Sequence, residues 1–348
     1  MNKVDNITFF KPRKFLTDKH LQTVVSVLFP PKNILNTDFQ YEEIPLPTPD
    51  ASGDMLLLEH NPPVSNYQDA KTQYNGYYLI LVHGMEGDSD SHYMISIGED
   101  ALENGYGVVR MNMRGCGRGE GMAKGIYNAG KTDDLDAVVS YVYKNFSKKI
   151  ILSGFSLSAN IVLKYLGEKK RTKVKFFSAV SPPLDLKDCC EHIDSPQATF
   201  YRNRFLRSFK KRLSDGIIHL PETINKELAY EAKTLFDFDD VVSGPLAGYK
   251  SALDYYKKCS SINFLYSIPQ KGIVVHADDD PLIPVQVFHK VDWEKVPHIT
   301  HVLTRGGGHV GFLTDKSDEI PDGRWLNYIL LKFFNSQIQE NILKKGNK

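Results

Sequence analysis

Ser156 stands in Gly154-Phe155-Ser156-Leu157-Ser158, after the apolar run Ile150-Ile151-Leu152 and before Ala159, Ile161, Val162, Leu163, Tyr165 and Leu166 at roughly helical spacing. The first run suits a buried central strand and the second a helix. A serine on the sharp turn between them has its hydroxyl lifted clear of the sheet with a helix N-terminus beneath it, which is the setting of a nucleophile. Strand and helix approach closely at such an elbow, so small residues must flank the serine. Gly154 meets that demand on one side; on the other, Ser158 stands where glycine is expected.

A serine hydroxyl needs a base to attack, and the base needs an orienting acid. Among eleven histidines, His309 sits in Arg-Gly-Gly-Gly-His-Val-Gly-Phe, a loop able to turn tightly and carry an imidazole back over the sheet. The acid is sought in His-Ala-Asp-Asp-Asp-Pro-Leu-Ile-Pro, residues 276–284. Asp280 is favoured because an Asp-Pro-x-x-Pro turn leads into the next helix; Asp278 and Asp279 remain alternatives, or else cap or accept backbone N–H groups. The resulting order, Ser156 then Asp280 then His309, belongs to one of three unrelated triad arrangements. Acyl transfer also needs donors for the developing oxyanion. Gly84, in His83-Gly84-Met85-Glu86-Gly87, lets the backbone turn N–H groups inward, so the amides of Met85 and Leu157 are the expected oxyanion hole, with the Glu86 carboxylate facing away.

These residues need a sheet to hold them. Strand patterns fall at 39–45, 54–60, 77–82, 107–111, 149–153, 174–180, 272–276 and 300–303, and helical patterns at 92–103, 133–145, 158–167 and 324–335. Such alternation predicts an α/β fold with a mostly parallel sheet and helices on both faces. Residues 183–265 interrupt it with an aromatic-rich, helical stretch, read as a cap inserted between the two parts of a core domain, 39–182 and 266–348. Residues 1–38 read as an N-terminal arm with a short apolar helix near 20–28.

Two other patterns compete for function. Gly125-Ile-Tyr-Asn-Ala-Gly-Lys-Thr132 matches a phosphate-binding loop literally, and Thr132 is placed to cap the helix after it. No buried strand feeds that loop, however, and Asp133 and Asp134 would put carboxylates where phosphate should sit. In 202–213, basic residues alternate with Phe205, Leu206, Phe209 and Leu213, a basic amphipathic face for anionic lipid or substrate, or simply a solvated outer face.

The 348 residues are 41% hydrophobic and 24% charged with a net charge of +1, which argues for a globular protein and against a nucleic-acid partner. The four cysteines, two of them adjacent, suit reduced thiols and a cytoplasmic protein; neither a signal-peptide pattern nor a membrane-length apolar run is evident. No metal-ligand spacing stands out, and no cofactor is expected.

With these residues assembled, the chain resembles the α/β-hydrolase superfamily, and within it the YheT-like group that includes embryogenesis-associated and abhydrolase relatives. The resemblance covers nearly the whole chain: His20-Leu-Gln-Thr23, His83-Gly-Met-Glu-Gly87, Ser91-His-Tyr93, Asn112-Met-Arg-Gly-Cys-Gly117, Tyr127-Asn-Ala-Gly130, Phe236-Asp237, Tyr255-Tyr256, Asp279-Asp-Pro281 and Gly308-His-Val-Gly-Phe312. It places the phosphate-loop pattern inside a segment of the family's own, and Ser158 departs from the family's usual glycine. It implies Ser156, Asp280 and His309 as a triad cleaving carboxylic esters, with a small-molecule ester or lipid-like substrate; the membrane anchor of some relatives has no counterpart in this sequence, so no stable membrane insertion is expected. The other readings are a thioesterase or acyltransferase on the same residues, and a non-catalytic binding protein of hydrolase-like fold.

Overall fold

The computed structural model describes residues 9–64, 72–169 and 171–346; residues 1–8 of the expected arm and the last two of the core lie outside. Its strands are β1 (Glu42–Pro47), β2 (Met55–Asn61), β3 (Tyr78–Val82), β4 (Gly107–Asn112), β5 (Ile150–Phe155), β6 (Val174–Val180), β7 (Lys271–Ala277) and β8 (Ile299–Thr304). They form one sheet in the order β1-β2-β4-β3-β5-β6-β7-β8. β1 pairs antiparallel with β2 and β2 with β4; every other pairing is parallel.

The middle strands are buried along their whole length, as a parallel sheet covered on both faces requires. Alternation sorts their side chains into two cores. Tyr78, Ile80, Val82, Ile150 and Leu152 face one apolar cluster, and Leu79, Leu81 and Ile151 face the other. The first is closed by α3 (Thr132–Asn145) and α4 (Leu157–Glu168), the second by α2 (His92–Glu103) and α12 (Trp325–Gly346). α12 runs well past the expected end at 335, because Ile338 is buried and Glu340 pairs with Lys344 one turn on and with Lys271 of β7.

α1 (Lys19–Leu28) precedes the sheet, capped by Asp18, whose carboxylate accepts the N–H groups of His20 and Leu21. Between β6 and β7 lie α5 (Leu186–Asp194), α6 (Thr199–Ser214), α7 (Lys226–Glu231), α8 (Leu235–Phe238), α9 (Gly244–Leu246) and α10 (Ala252–Cys259), with no strand among the described residues. A π-helical turn, Asp239–Ser243, joins α8 to α9. α11 (Gln286–His289) follows the aspartate run after β7.

Candidate active site

Ser156 occupies the turn from β5 into α4 with φ +55° and ψ −122°. That region is sparsely populated for a residue with a side chain, at a cost of about 1–3 kcal/mol. Its N–H donates to the Val180 carbonyl of β6 at 2.8 Å, which holds the strained residue in place. The demand for small neighbours is visible in the distances: a Cβ on Gly154 would lie 2.5 Å from the Ser158 carbonyl oxygen, and one on Gly84 would lie 3.0 Å from Ser156 Cβ. Ser158 fits because its hydroxyl is taken up by backbone groups beneath the elbow. Its buried hydroxyl accepts the Phe155 N–H at 2.8 Å and lies within 2.5 Å of the Val82 carbonyl at the end of β3.

The structure brings the three predicted residues together. His309 Nε2 lies 2.8 Å from Ser156 Oγ, and His309 Nδ1 lies 2.8 Å from Asp280 Oδ2. The other oxygen of Asp280 accepts the N–H groups of Leu282 and Ile283 at 2.8 and 3.0 Å. Burial alone would push this carboxyl up, but the His309 ring and the Ile283 N–H outweigh it and hold it below the ordinary value. The neighbouring aspartates hold the loop: Asp278 accepts the Gly306 N–H at 2.8 Å and Asp279 the Gly308 N–H at 2.9 Å.

α1 clamps the same loop from outside. Gln22 accepts the Leu313 N–H at 2.8 Å and donates to the Leu313 carbonyl at 3.0 Å. Thr23 Oγ1 accepts the His309 N–H at 2.9 Å and donates to the Lys19 carbonyl. Sequence reasoning missed Gln22 and Thr23, because periodicity turns the apolar residues of α1 inward, whereas the structure buries Gln22, Thr23 and Ser26.

The β3–α2 loop is pinned residue by residue. His83 Nε2 accepts the Met113 N–H at 3.1 Å, and a backbone N–H can only donate, so the imidazole proton is on Nδ1. Nδ1 then donates to the Gly84 carbonyl at 2.8 Å. In a trans peptide the carbonyl and the next N–H point opposite ways, so this bond turns the Met85 N–H away from His83. Burial pulls the His83 imidazole down to about 4, the Gly84 carbonyl opposing, and keeps it neutral. Tyr93 accepts the Gly84 N–H at 2.9 Å. Among the described residues, no hydrogen bond engages the N–H of Met85 or of Leu157, and both residues line the Ser156 cavity.

Glu86 departs from the simple expectation that it faces away. It lines the same cavity, yet its carboxylate is already engaged: it accepts the Tyr127 hydroxyl at 2.7 Å and the Ser208 hydroxyl, and lies 3.7 Å from Arg212 Nη1. Arg212, at the end of the basic stretch, is therefore no part of a solvated face; its Nη2 donates to the Gly115 carbonyl at 2.7 Å. Phe205, Leu206 and Leu213 of that helix pack in the core, while Arg204 and Arg207 are exposed.

The cavity beside Ser156 holds about 110 Å³ and is walled mostly by apolar side chains, among them Met85, Ile193, Phe209, Phe238 and Leu282. A larger concavity of about 950 Å³, between α2 and α12, contains none of the triad. The Gly125–Thr132 pattern is no phosphate loop. Thr132 is the first residue of α3 rather than its cap, and its hydroxyl donates to Glu168. Asp134 pairs with buried Arg114 at 2.6 Å, and a Cβ on Gly130 would strike Cys259 and Tyr249 at 2.6 Å, so the loop is a packed wall. All four cysteines are free and buried, and no group of metal-ligating side chains occurs among the described residues.

The sequence profile of the alpha/beta hydrolase fold matches residues 77–316. The chain belongs to the α/β-hydrolase family. YheT of Escherichia coli (strain K12) is 28% identical over 318 residues, covering 90% of this chain and 89% of YheT. A monoacylglycerol lipase of Saccharomyces cerevisiae is 33% identical over 297 residues, covering 81% of this chain, and the embryogenesis-associated protein EMB8 of Picea glauca is 28% identical over 283, covering 78%. The chain spans 64% and 60% of these last two. Within the family it is thus YheT-like, with relatives that carry esterase and lipase names. The fold agrees with a Pyrococcus furiosus esterase, Pf2001, at a TM-score of 0.51 and 19% identity, covering 90% of this chain and 96% of that one. Among the described residues, no helix is long and apolar enough to cross a membrane.

Proposed function

We propose that this α/β hydrolase cleaves carboxylic esters through an acyl-enzyme on Ser156, His309 and Asp280. The observation that carries the reading is the unbroken chain of 2.8 Å contacts from Ser156 Oγ through His309 to Asp280, on a strained elbow beside an apolar cavity. His309 Nε2 takes the Ser156 hydroxyl proton as Oγ attacks the ester carbonyl. The N–H groups of Met85 and Leu157, the second at the N-terminus of α4, receive the oxyanion. His309 then passes its proton to the leaving alcohol, and water repeats the sequence to release the acid. Asp280, desolvated and fixed by two backbone N–H groups, holds Nδ1 protonated and offsets the charge of the imidazolium.

The cavity wall favours an acyl or lipid-like substrate, since apolar atoms must receive the chain when the ester carbonyl reaches Ser156. In this reading residues 183–265 are the cap, 39–182 with 266–348 the core, and 1–38 the arm, whose α1 steadies the His309 loop. A fluorophosphonate probe is expected to label the wild type and to miss Ser156→Ala, and p-nitrophenyl esters of graded length to show which chain fits. A folded wild type that resists the probe and cleaves none of these esters would overturn the reading.

A further inference from the structure

α1 is inside out. Its buried positions are the polar Gln22, Thr23 and Ser26, while Leu21, Val24 and Leu28, at i, i+3 and i+7, lie on the opposite side of the helix. Leu21 is 42% exposed, Leu28 66% and the following Phe29 74%. None of the apolar residues of α1 joins either of the two cores. The clamp on the His309 loop explains Gln22 and Thr23 on the inward face; among the described residues, neither apolar core takes up the outward face.

The patch continues onto the helical insertion. His20 stacks on Tyr201 of α6 at 5.8 Å, with Nδ1 2.9 Å from its hydroxyl, and next to Tyr201 stands Phe200, 68% exposed. Charge surrounds it unevenly. Residues 9–33 hold Lys11, Arg13, Lys14, Lys19 and Lys32 against one acid, Asp18, whose carboxylate caps the helix. α6 adds exposed Arg204, Arg207 and Lys211, the last paired with Asp215, in a chain whose net charge is only +1. A second copy of the chain docking face to face would bring these like charges together, whereas an anionic lipid surface complements both the apolar face and its basic surround.

We propose that the outer face of α1, with Phe29 and Phe200, docks this protein on an anionic bilayer surface. Because the inner face of the same helix holds the His309 loop, docking sets the Ser156 cavity beside the lipid. The proposal is independent of the catalytic reading, since binding needs no turnover.

The test is co-sedimentation of full-length Ser156→Ala protein with vesicles of phosphatidylcholine containing about one third phosphatidylglycerol, and with phosphatidylcholine alone. Binding is expected to the anionic vesicles and to weaken with added salt. Leu28→Glu/Phe29→Glu, at two exposed positions, is expected to partition at least about tenfold less. In the Ser156 background the same pair should leave hydrolysis of a water-soluble ester unchanged. Equal sedimentation of the pair variant and the parent overturns the proposal. So does a parent that ignores anionic vesicles, whether it runs as a monomer or as a dimer that the pair variant breaks, the dimer assigning the face to self-association.

Discussion

Asp280→Asn separates the three adjacent aspartates most sharply. The buried carboxylate has two kinds of partner: Oδ1 accepts the N–H groups of Leu282 and Ile283, and Oδ2 accepts His309 Nδ1–H. A substituted amide keeps its oxygen on the two backbone donors, because its nitrogen cannot accept them. Its NH₂ then faces Nδ1, where two donors cannot share a bond, and the imidazole proton moves to Nε2. In that tautomer Nε2 donates and no longer accepts the Ser156 proton. The Asp280 side chain has no exposure, so water cannot stand in for the lost acceptor. The same change in a Ser-His-Asp triad lowers kcat about 10⁴-fold, equivalent to about 5.5 kcal/mol of barrier. Steady-state hydrolysis of the best p-nitrophenyl ester should show this loss in kcat with little change in KM, while circular dichroism and the melting curve confirm a folded protein. Asp278→Asn and Asp279→Asn should cost less than about tenfold, since an amide oxygen accepts the Gly306 or Gly308 N–H as a carboxylate does. A folded Asp280→Asn enzyme keeping more than about a tenth of wild-type kcat, with Asp279→Asn inactive, would refute the assignment.

Ser158→Ala should lower stability by about 1–3 kcal/mol through loss of the hydroxyl between Phe155 N–H and the Val82 carbonyl, with kcat nearly unchanged; an unaltered melting temperature with lost activity would instead give that hydroxyl a part in the chemistry. Stability should also fall in acid through His83. Burial holds its imidazole at about 4 against an ordinary 6.5, so between those values the unfolded chain binds a proton that the folded one refuses. The contribution is present above about pH 6.5, is lost as pH drops through this window and levels off below about 4, for a total of about 3 kcal/mol. Urea melts at pH 7 and 4.5 should show a smaller pH dependence in His83→Gln than in the wild type, and identical dependence would sink the assignment.

Much of the fold was legible because its signals are local. The strands from β3 to β8 and the periodic helices α2, α3 and α4 fall within a few residues of where alternation and spacing put them. The errors lie where a distant residue decides. Thr132 has the chemistry of a cap, but Glu168 sits close enough to take its hydroxyl. Arg212 reads as one more basic residue of an outer face, and only the packing of α6 over the cavity brings it to Glu86. α12 outruns its apolar pattern because pairs one turn apart and a partner on β7 carry it further.

By itself, the sequence determined the setting of Ser156 on a strand-to-helix turn, the chain order of Ser156, Asp280 and His309, and the glycines the backbone needs at 84 and 154. Each is a constraint between neighbours, or between a strand end and the loop that follows it. Tertiary structure alone decided which aspartate faces His309, how Ser158 fits the elbow, and that α1 turns its polar side inward. Those outcomes depend on segments far apart in the chain: Gln22 meets Leu313, Thr23 meets His309, and Ser158 meets Val82. Hydrogen bonds of this kind form only after the sheet has set the distances, and no pattern in residues 19–28 alone distinguishes a helix that buries its apolar face from one that shows it.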